Sequence, residues 1–263
     1  MNGIGVAPVA IITGGSGGLA PGIARVLGQH GYDLILAARD VGKLRETAEA
    51  LGHQTQAHIE IVPCDVTRTA SVGAMALTVV DRLGRIDLLV NAAASSTPIG
   101  GPVERLDVEA LIADFDTKVG GYLRCIQAVS PVMKRQGQGR IVNVGGLTGR
   151  SSDTLSGLRN AAISHLTKVM ADQLGPYGIT VNAVHPGLTQ TPHLAELFAE
   201  MADARGVTSE AVEAEFISQV PIRRFSTPDE IGDTIAFLAD RRGAAINGES
   251  ISIDGGYSRG IYL

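Results

Sequence analysis

Short, unbroken apolar runs alternate along this chain with stretches whose apolar residues recur every three to four positions. Pro8-Val-Ala-Ile-Ile-Thr13, Tyr32 to Ala38, His58 to Pro63 and Ile86 to Val90 have the composition of parallel strands covered on both faces. Between them, helical periodicity runs to about His30, from Val41 to about Gly52, and onward from near Thr67. Strands alternating with helices predict an α/β fold: one doubly wound parallel sheet with helices on both faces and ligands at the carboxyl ends of the strands. No repeat or linker divides the chain, so a single domain over residues 1–263 is expected. Further on, residues 193–224 read as two short helices, around Leu194–Arg205 and Ser209–Gln219, a candidate lid segment. Their apolar stripe of Leu194, Leu197, Phe198 and Met201 suits either cover for a substrate or ordinary packing.

The first strand runs into a glycine-rich turn. Gly14, Gly15, Gly17 and Gly18 permit a tight bend and close approach of a phosphate to the backbone. The helix that follows turns its free N–H groups and positive dipole end toward that point. A dinucleotide with a free ribose 2′-hydroxyl calls for an acid at the end of the second strand. Ala38 and then Arg39 stand there instead, which favours a 2′-phosphate and so NADP(H) over NAD(H), unless Arg39 is only a solvated loop charge. At the third strand's end, Asp65 beside Val66 is placed to accept from an adenine amino group, to cap the next helix, or both. Small residues after Asn91, beginning with Ala92, allow another close backbone approach.

Composition narrows the function class. Of 263 residues, 44% are hydrophobic and 19% charged, enough for a sizeable core. A net charge of −5 without a basic cluster argues against nucleic acid as a partner. The N-terminal apolar run is too short to span a bilayer and carries no charged leader, so a soluble cytoplasmic protein without membrane attachment is expected. Cys64 and Cys125 have no metal-ligand spacing, and no metal is expected.

Across nearly its whole length the chain resembles the short-chain dehydrogenases/reductases. Thr13-Gly14-Gly15-Ser16-Gly17-Gly18-Leu19-Ala20 is similar to that family's TGxxxGxG, with Ala20 for the last glycine. Asn91-Ala92-Ala93 resembles its NNAG segment, and Arg140 to Val144 its fifth strand. Asn182-Ala-Val-His-Pro186-Gly187 resembles the end of the sixth. Pro186-Gly187-Leu188-Thr189-Gln190-Thr191 fits the PGxxxT loop, which in the family holds the nicotinamide carboxamide and phosphates. Pro228-Asp229-Glu230-Ile231 and Ile253-Asp254-Gly255-Gly256 fit the closing helix and strand. The resemblance implies a Rossmann fold and a small-molecule substrate. It also implies a homodimer or homotetramer built on two long helices, here about Val108–Gln136 and Ser152–Tyr177.

The family's carbonyl chemistry uses Asn, Ser, Tyr and Lys, the last two in YxxxK. Counting back from the VNAVHPG strand puts Ser156 at the tyrosine and Asn160 at the lysine, giving SxxxN. Counting on from the fifth strand puts Gly146 at the serine, and Lys118 takes the place of the helix asparagine. Lysine and asparagine have thus exchanged walls. Lys118 is expected either to put its ammonium into the same cavity from the opposite side or to be a surface or interface lysine. No exchange restores the phenol; a hydroxyl at Ser156 donates a hydrogen bond but ionises far less readily. His185 is a catalytic or a core histidine, His193 a substrate-loop or a surface one, and Asp153 and Arg159 flank Ser156. His165 is out of phase and should face away. The leading expectation is an atypical NADP(H)-dependent oxidoreductase acting on a small carbonyl or enone. The alternatives are a non-redox lyase, isomerase or cyclase, and an inactive nucleotide-binding sensor or assembly protein.

Overall fold

In the computed structural model, residues 7–95, 99–150 and 154–260 are described. Seven parallel strands form one sheet in the order β3-β2-β1-β4-β5-β6-β7. They are β1 (Val9–Thr13), β2 (Asp33–Ala38), β3 (Ile59–Pro63), β4 (Leu88–Asn91), β5 (Gly139–Val144), β6 (Ile179–Pro186) and β7 (Ser250–Ile253). β1 and β6 are buried at every position; β1 is accordingly apolar up to Thr13, while β6 buries Thr180, Asn182 and His185 among its apolar residues.

Helices cover both faces, as the pattern predicts. Ile11, Ile35, Leu89, Ile141 and Val181 face α3 (Thr69–Leu83), α5 (Gly121–Gln136) and the end of α6 (Ser156–Leu174). Ile12, Leu34, Val90 and Val184 face α1 (Ala20–Gln29), α2 (Val41–Gly52) and α9 (Pro228–Ala239). α1 lies against α9 because Gly22 has no side chain; a Cβ there would run into Pro228. Caps fix the helix starts. Asp40 accepts from the Lys43 N–H at α2, and Thr227 and Glu230 close a reciprocal capping box at α9.

The expected helix over Val108–Gln136 is interrupted. α4 (Val108–Phe115) passes through a π-turn, Asp116–Gly120, into α5. Gly120 and Gly121 weaken the helix here, and Gly121 lets it approach Val66, whose side chain would lie 2.9 Å from a Cβ. Lys118 sits inside that turn. The second long helix is regular from Ser156 and ends in a 3₁₀ turn at Gly175–Tyr177; residues 151–153, including Asp153, lie outside the described residues.

In the lid, α7 (Pro192–Arg205) and α8 (Ser209–Gln219) fold against each other. Phe198 is buried with Val212 and Phe225, and its ring stacks on Phe216 at 5.2 Å between centroids. Leu194 and Met201 join this cluster while Leu197 stays exposed, so most of the stripe is internal packing of the lid. Among the described residues no helix is long and apolar enough to cross a membrane, and no cluster of His, Cys, Asp or Glu could hold a metal.

Candidate active site

β1 bends away through Gly14, which adopts φ 68° beside the Ala92 backbone; a Cβ would lie 2.9 Å from it. The N–H groups of Ala92 and Ala93 donate to Thr13 Oγ1 at 3.1 and 3.4 Å, tying the glycine turn to the end of β4. Gly17 and Gly18 are open to solvent, and Leu19 precedes α1 without a side-chain cap. Across the cleft, Thr191 approaches Gly18 and caps α7 by accepting from the Leu194 N–H. Thr189 is buried, with its hydroxyl donating to the Gly187 carbonyl at 3.1 Å; Gly187 follows Pro186 and packs on Asp254.

Gly14, Ser16, Arg39, Asp65, Val66 and Ala92 line one cavity of about 370 Å³ at the carboxyl edge, where β1 has β2 on one side and β4 on the other. Asn91 is not in its wall; buried, it donates to Asn143 Oδ1 at 2.9 Å. Asp65 accepts from both the Thr67 N–H and hydroxyl. The hydroxyl bond is the chief reason its carboxyl titrates below the usual range, so it is a ready acceptor. Lys43 also lines this cavity beside the exposed Arg39. Its position three residues after the Asp40 cap was the available sequence signal, and it was missed. The cavity's chemistry fits the adenosine half of a phosphorylated dinucleotide: small residues for backbone approach, one acceptor for an amino group, two cations for a phosphate.

The chain therefore has a doubly wound sheet, a glycine turn abutting the end of β4, and a nucleotide-sized cavity at the strand reversal. Comparison with known proteins agrees. The family model described as enoyl-(acyl carrier protein) reductase matches residues 14–258. The chain belongs to the short-chain dehydrogenase/reductase superfamily. It is 34% identical over 254 residues to the monensin polyketide synthase putative ketoacyl reductase of Streptomyces virginiae, covering 94% of this chain and 96% of that one. It superposes on an NADPH-bound actinorhodin polyketide ketoreductase with TM-score 0.88 and 30% identity, covering 96% and 98% of the two chains. It likewise matches an NAD⁺-bound xylitol dehydrogenase with TM-score 0.87 and 27% identity, covering 95% and 98%.

The residues that the resemblance assigns to the tetrad are Lys118, Gly146, Ser156 and Asn160. Lys118 is 4% exposed and its Nζ donates to the Gly145 carbonyl at 2.9 Å, which settles its direction: inward, not on the surface. Burial, reinforced by the Arg159 charge and opposed by Asp114, lowers its pKa to about 7. Gly146 adjoins that carbonyl, and a Cβ on it would lie 2.8 Å from Asn160 Nδ2. Asn160 Nδ2 donates to Thr148 Oγ1 at 2.8 Å. Three of the four positions thus converge. Ser156 is buried, its hydroxyl accepting from the Ile99 N–H at 3.2 Å.

The other ionisable candidates separate clearly. His185 is buried, with Nδ1 3.2 Å from the Gly146 nitrogen and Nε2 3.1 Å from Ser164 Oγ; Gly145 is a glycine because the ring occupies the place of its Cβ. The ring is packed in the interior against both glycines. His193 is exposed and 3.9 Å from the Glu196 carboxylate, and His165 is exposed, facing away. Arg159 forms a buried ion pair with Asp114, which sequence reading missed although Asp114 lies one turn before Lys118. Tyr122, fully buried beside Lys118, donates to the Val144 carbonyl at 2.9 Å; burial pushes its phenol far up, so it does not supply the absent acid.

Proposed function

We propose that this superfamily member is an NADP(H)-dependent oxidoreductase that moves a hydride to or from a small carbonyl or enone substrate without a tyrosine–lysine pair. The supporting observation is Lys118: a buried amine, held on the Gly145 carbonyl next to Gly146, with a pKa that burial lowers to about 7.

In this reading the tetrad is degenerate, with Gly146, Ser156, Asn160 and Lys118 at its four places. Arg39 and Lys43 hold a 2′-phosphate, Asp65 and Val66 the adenine, and Gly14, Ser16, Gly18 and Leu19 the pyrophosphate. Asn91 and Ala92 shape the ribose side, while Pro186, Gly187, Thr189 and Thr191 receive the nicotinamide. The nicotinamide, when bound, supplies or accepts the hydride. Lys118 Nζ holds or releases the proton that must accompany it, a task requiring a group whose pKa lies near the working pH. Asn160 is held by Thr148, and Ser156, anchored on Ile99, keeps its own hydroxyl proton for a substrate oxygen. A homodimer or homotetramer is part of the proposal, because Val108, Ile112 and Leu158 leave 63, 56 and 49% of their surface exposed on α4 and α6.

A parallel fluorescence titration with NADPH and NADH tests the cofactor half. Tighter NADPH binding that Arg39→Ala abolishes supports it; equal affinity for both nucleotides, unchanged by that substitution, rejects it. The bond between Ser156 and Ile99 favours one second reading, in which the chain binds nucleotide without catalysis. It predicts NADPH binding with no oxidation by any ketone or enone.

A further inference from the structure

Two cations and one carboxylate meet in the interior between α4, the π-turn and α6. Asp114 is 4% exposed, Lys118 is 4% exposed, and the Arg159 side chain is 12% exposed. Arg159 takes the carboxylate: its guanidinium pairs with Asp114 Oδ1 and also donates to the Ser95 carbonyl at 3.3 Å. Lys118, one turn after Asp114, does not. Its Nζ goes to a neutral carbonyl, while Asp114 Oδ2 has no hydrogen-bond donor among the described residues. Aspartate and lysine four apart normally pair on a helix. Here the π-turn and Arg159 keep them apart.

We propose that Arg159, clamped by Asp114, is a positioning residue for Lys118: the two cations compete for one buried carboxylate, and Arg159's possession of it leaves the lysine as the group that surrenders a proton. The physical asymmetry is simple. A guanidinium stays protonated in proteins, whereas a buried ammonium gives up its proton readily. With Arg159 fixed, the carboxylate is already neutralised and a second buried charge has no counterion, so Lys118 yields.

The groups facing Lys118 are few. α4 presents Asp114, α6 presents Arg159, and α5 presents Tyr122, whose hydroxyl is committed to Val144. From β6, His185 packs against Gly145 and Gly146. Asp116 and Arg124 pair with each other by the π-turn at 2.6 Å, and both are part exposed. None of the last four holds an unpaired opposite charge against the amine.

This inference rests on the reading of Lys118 as the proton-handling group, yet its test needs no substrate. The chain has four lysines, Lys43, Lys118, Lys134 and Lys168, so protein carrying ¹³C at lysine Cε gives few signals, and Lys118→Met assigns the one in question. In the unaltered protein that signal should titrate near pH 7. Arg159→Met frees the carboxylate for Lys118 and should raise the amine's proton affinity at least about tenfold, up to about a thousandfold. Asp114→Asn leaves the Arg159 charge uncompensated beside the amine and should lower the affinity. Arg159→Lys puts a second amine in place of the guanidinium, so that either amine can yield the proton; it should also raise the Lys118 midpoint, and it serves should the methionine variant fail to fold. A structural role for the pair would weaken the protein without moving the titration in opposite directions. Midpoints unchanged in Arg159→Met and Asp114→Asn, or a Lys118 midpoint near the ordinary value in the unaltered protein, overturn the proposal. The proton-handling role fails separately, if Lys118→Met retains full turnover.

Discussion

Replacing Lys118 with methionine should change how stability depends on pH, in a direction that the buried amine dictates. The folded-state pKa, about 7, lies below the ordinary 10.5 of an exposed lysine. Between those values the unfolded chain binds a proton that the folded chain does not, so stability rises with pH across that window. Below it, charging or keeping uncharged the buried amine costs about 1.4 kcal/mol per unit of separation, or about 5 kcal/mol in all. From about pH 7 to about pH 9 roughly 2 kcal/mol of that cost should disappear. Methionine fills nearly the same volume and carries no charge. It leaves the Gly145 carbonyl without its donor, which costs about 1 kcal/mol at every pH and so does not alter the slope. Urea unfolding of both proteins at several pH values reads the difference. The unaltered protein should gain on Lys118→Met by about 2 kcal/mol over this range, while the Cys64 and Cys125 thiols, both raised by burial, cancel in the comparison. A stability difference that stays flat with pH would refute the buried, proton-releasing lysine.

Four further outcomes follow from the same geometry. Gly146→Ser should cost about 1–3 kcal/mol because its Cβ meets Asn160, and Asn160→Ala should recover much of that loss in thermal melts. Gly22→Ala should destabilise by a similar amount, about 1–3 kcal/mol, by pressing α1 off Pro228, with little direct effect on nucleotide affinity once folded. Lys43→Ala should weaken NADPH more than NADH, by about tenfold at low salt and less at high salt, read by titration of each nucleotide. Glu230, held down to about pKa 2 first by Arg224, contributes stability above its ordinary value of 4.5 that is lost as pH falls toward 2. Because that pair is more than a third exposed, solvent screens it and Arg224→Ala should flatten the acid limb only slightly, as read by unfolding at several acid pH values.

The fold was largely legible because strands buried on both faces leave uninterrupted apolar runs, and the strand ends then place the glycine turn, Arg39 and Asp65 around one cavity. The π-turn was not legible. A one-residue change of phase at Asp116–Gly120 leaves the apolar period almost intact, with only Gly120-Gly121 as a hint, and that phase decides whether Lys118 faces in or out. The Asp114–Arg159 pair joins residues 45 apart in sequence and depends on the packing of α4 on α6, which no local pattern reports. The partner of Ser156 was not legible for a related reason: it is the backbone N–H of Ile99, a donor that every non-proline residue possesses. His185 was undecidable in sequence because a strand-end histidine serves packing and catalysis equally well; its packing on Gly145 is visible only in the fold.

The most direct test of the central claim is NADPH oxidation by the purified protein against a panel of small ketones and enones, run alongside Lys118→Met. The account predicts turnover with at least one member of the panel, falling about a hundredfold or more in the methionine variant while NADPH still binds. Tight NADPH binding without oxidation by any of them, or turnover equal in the two proteins, would contradict it.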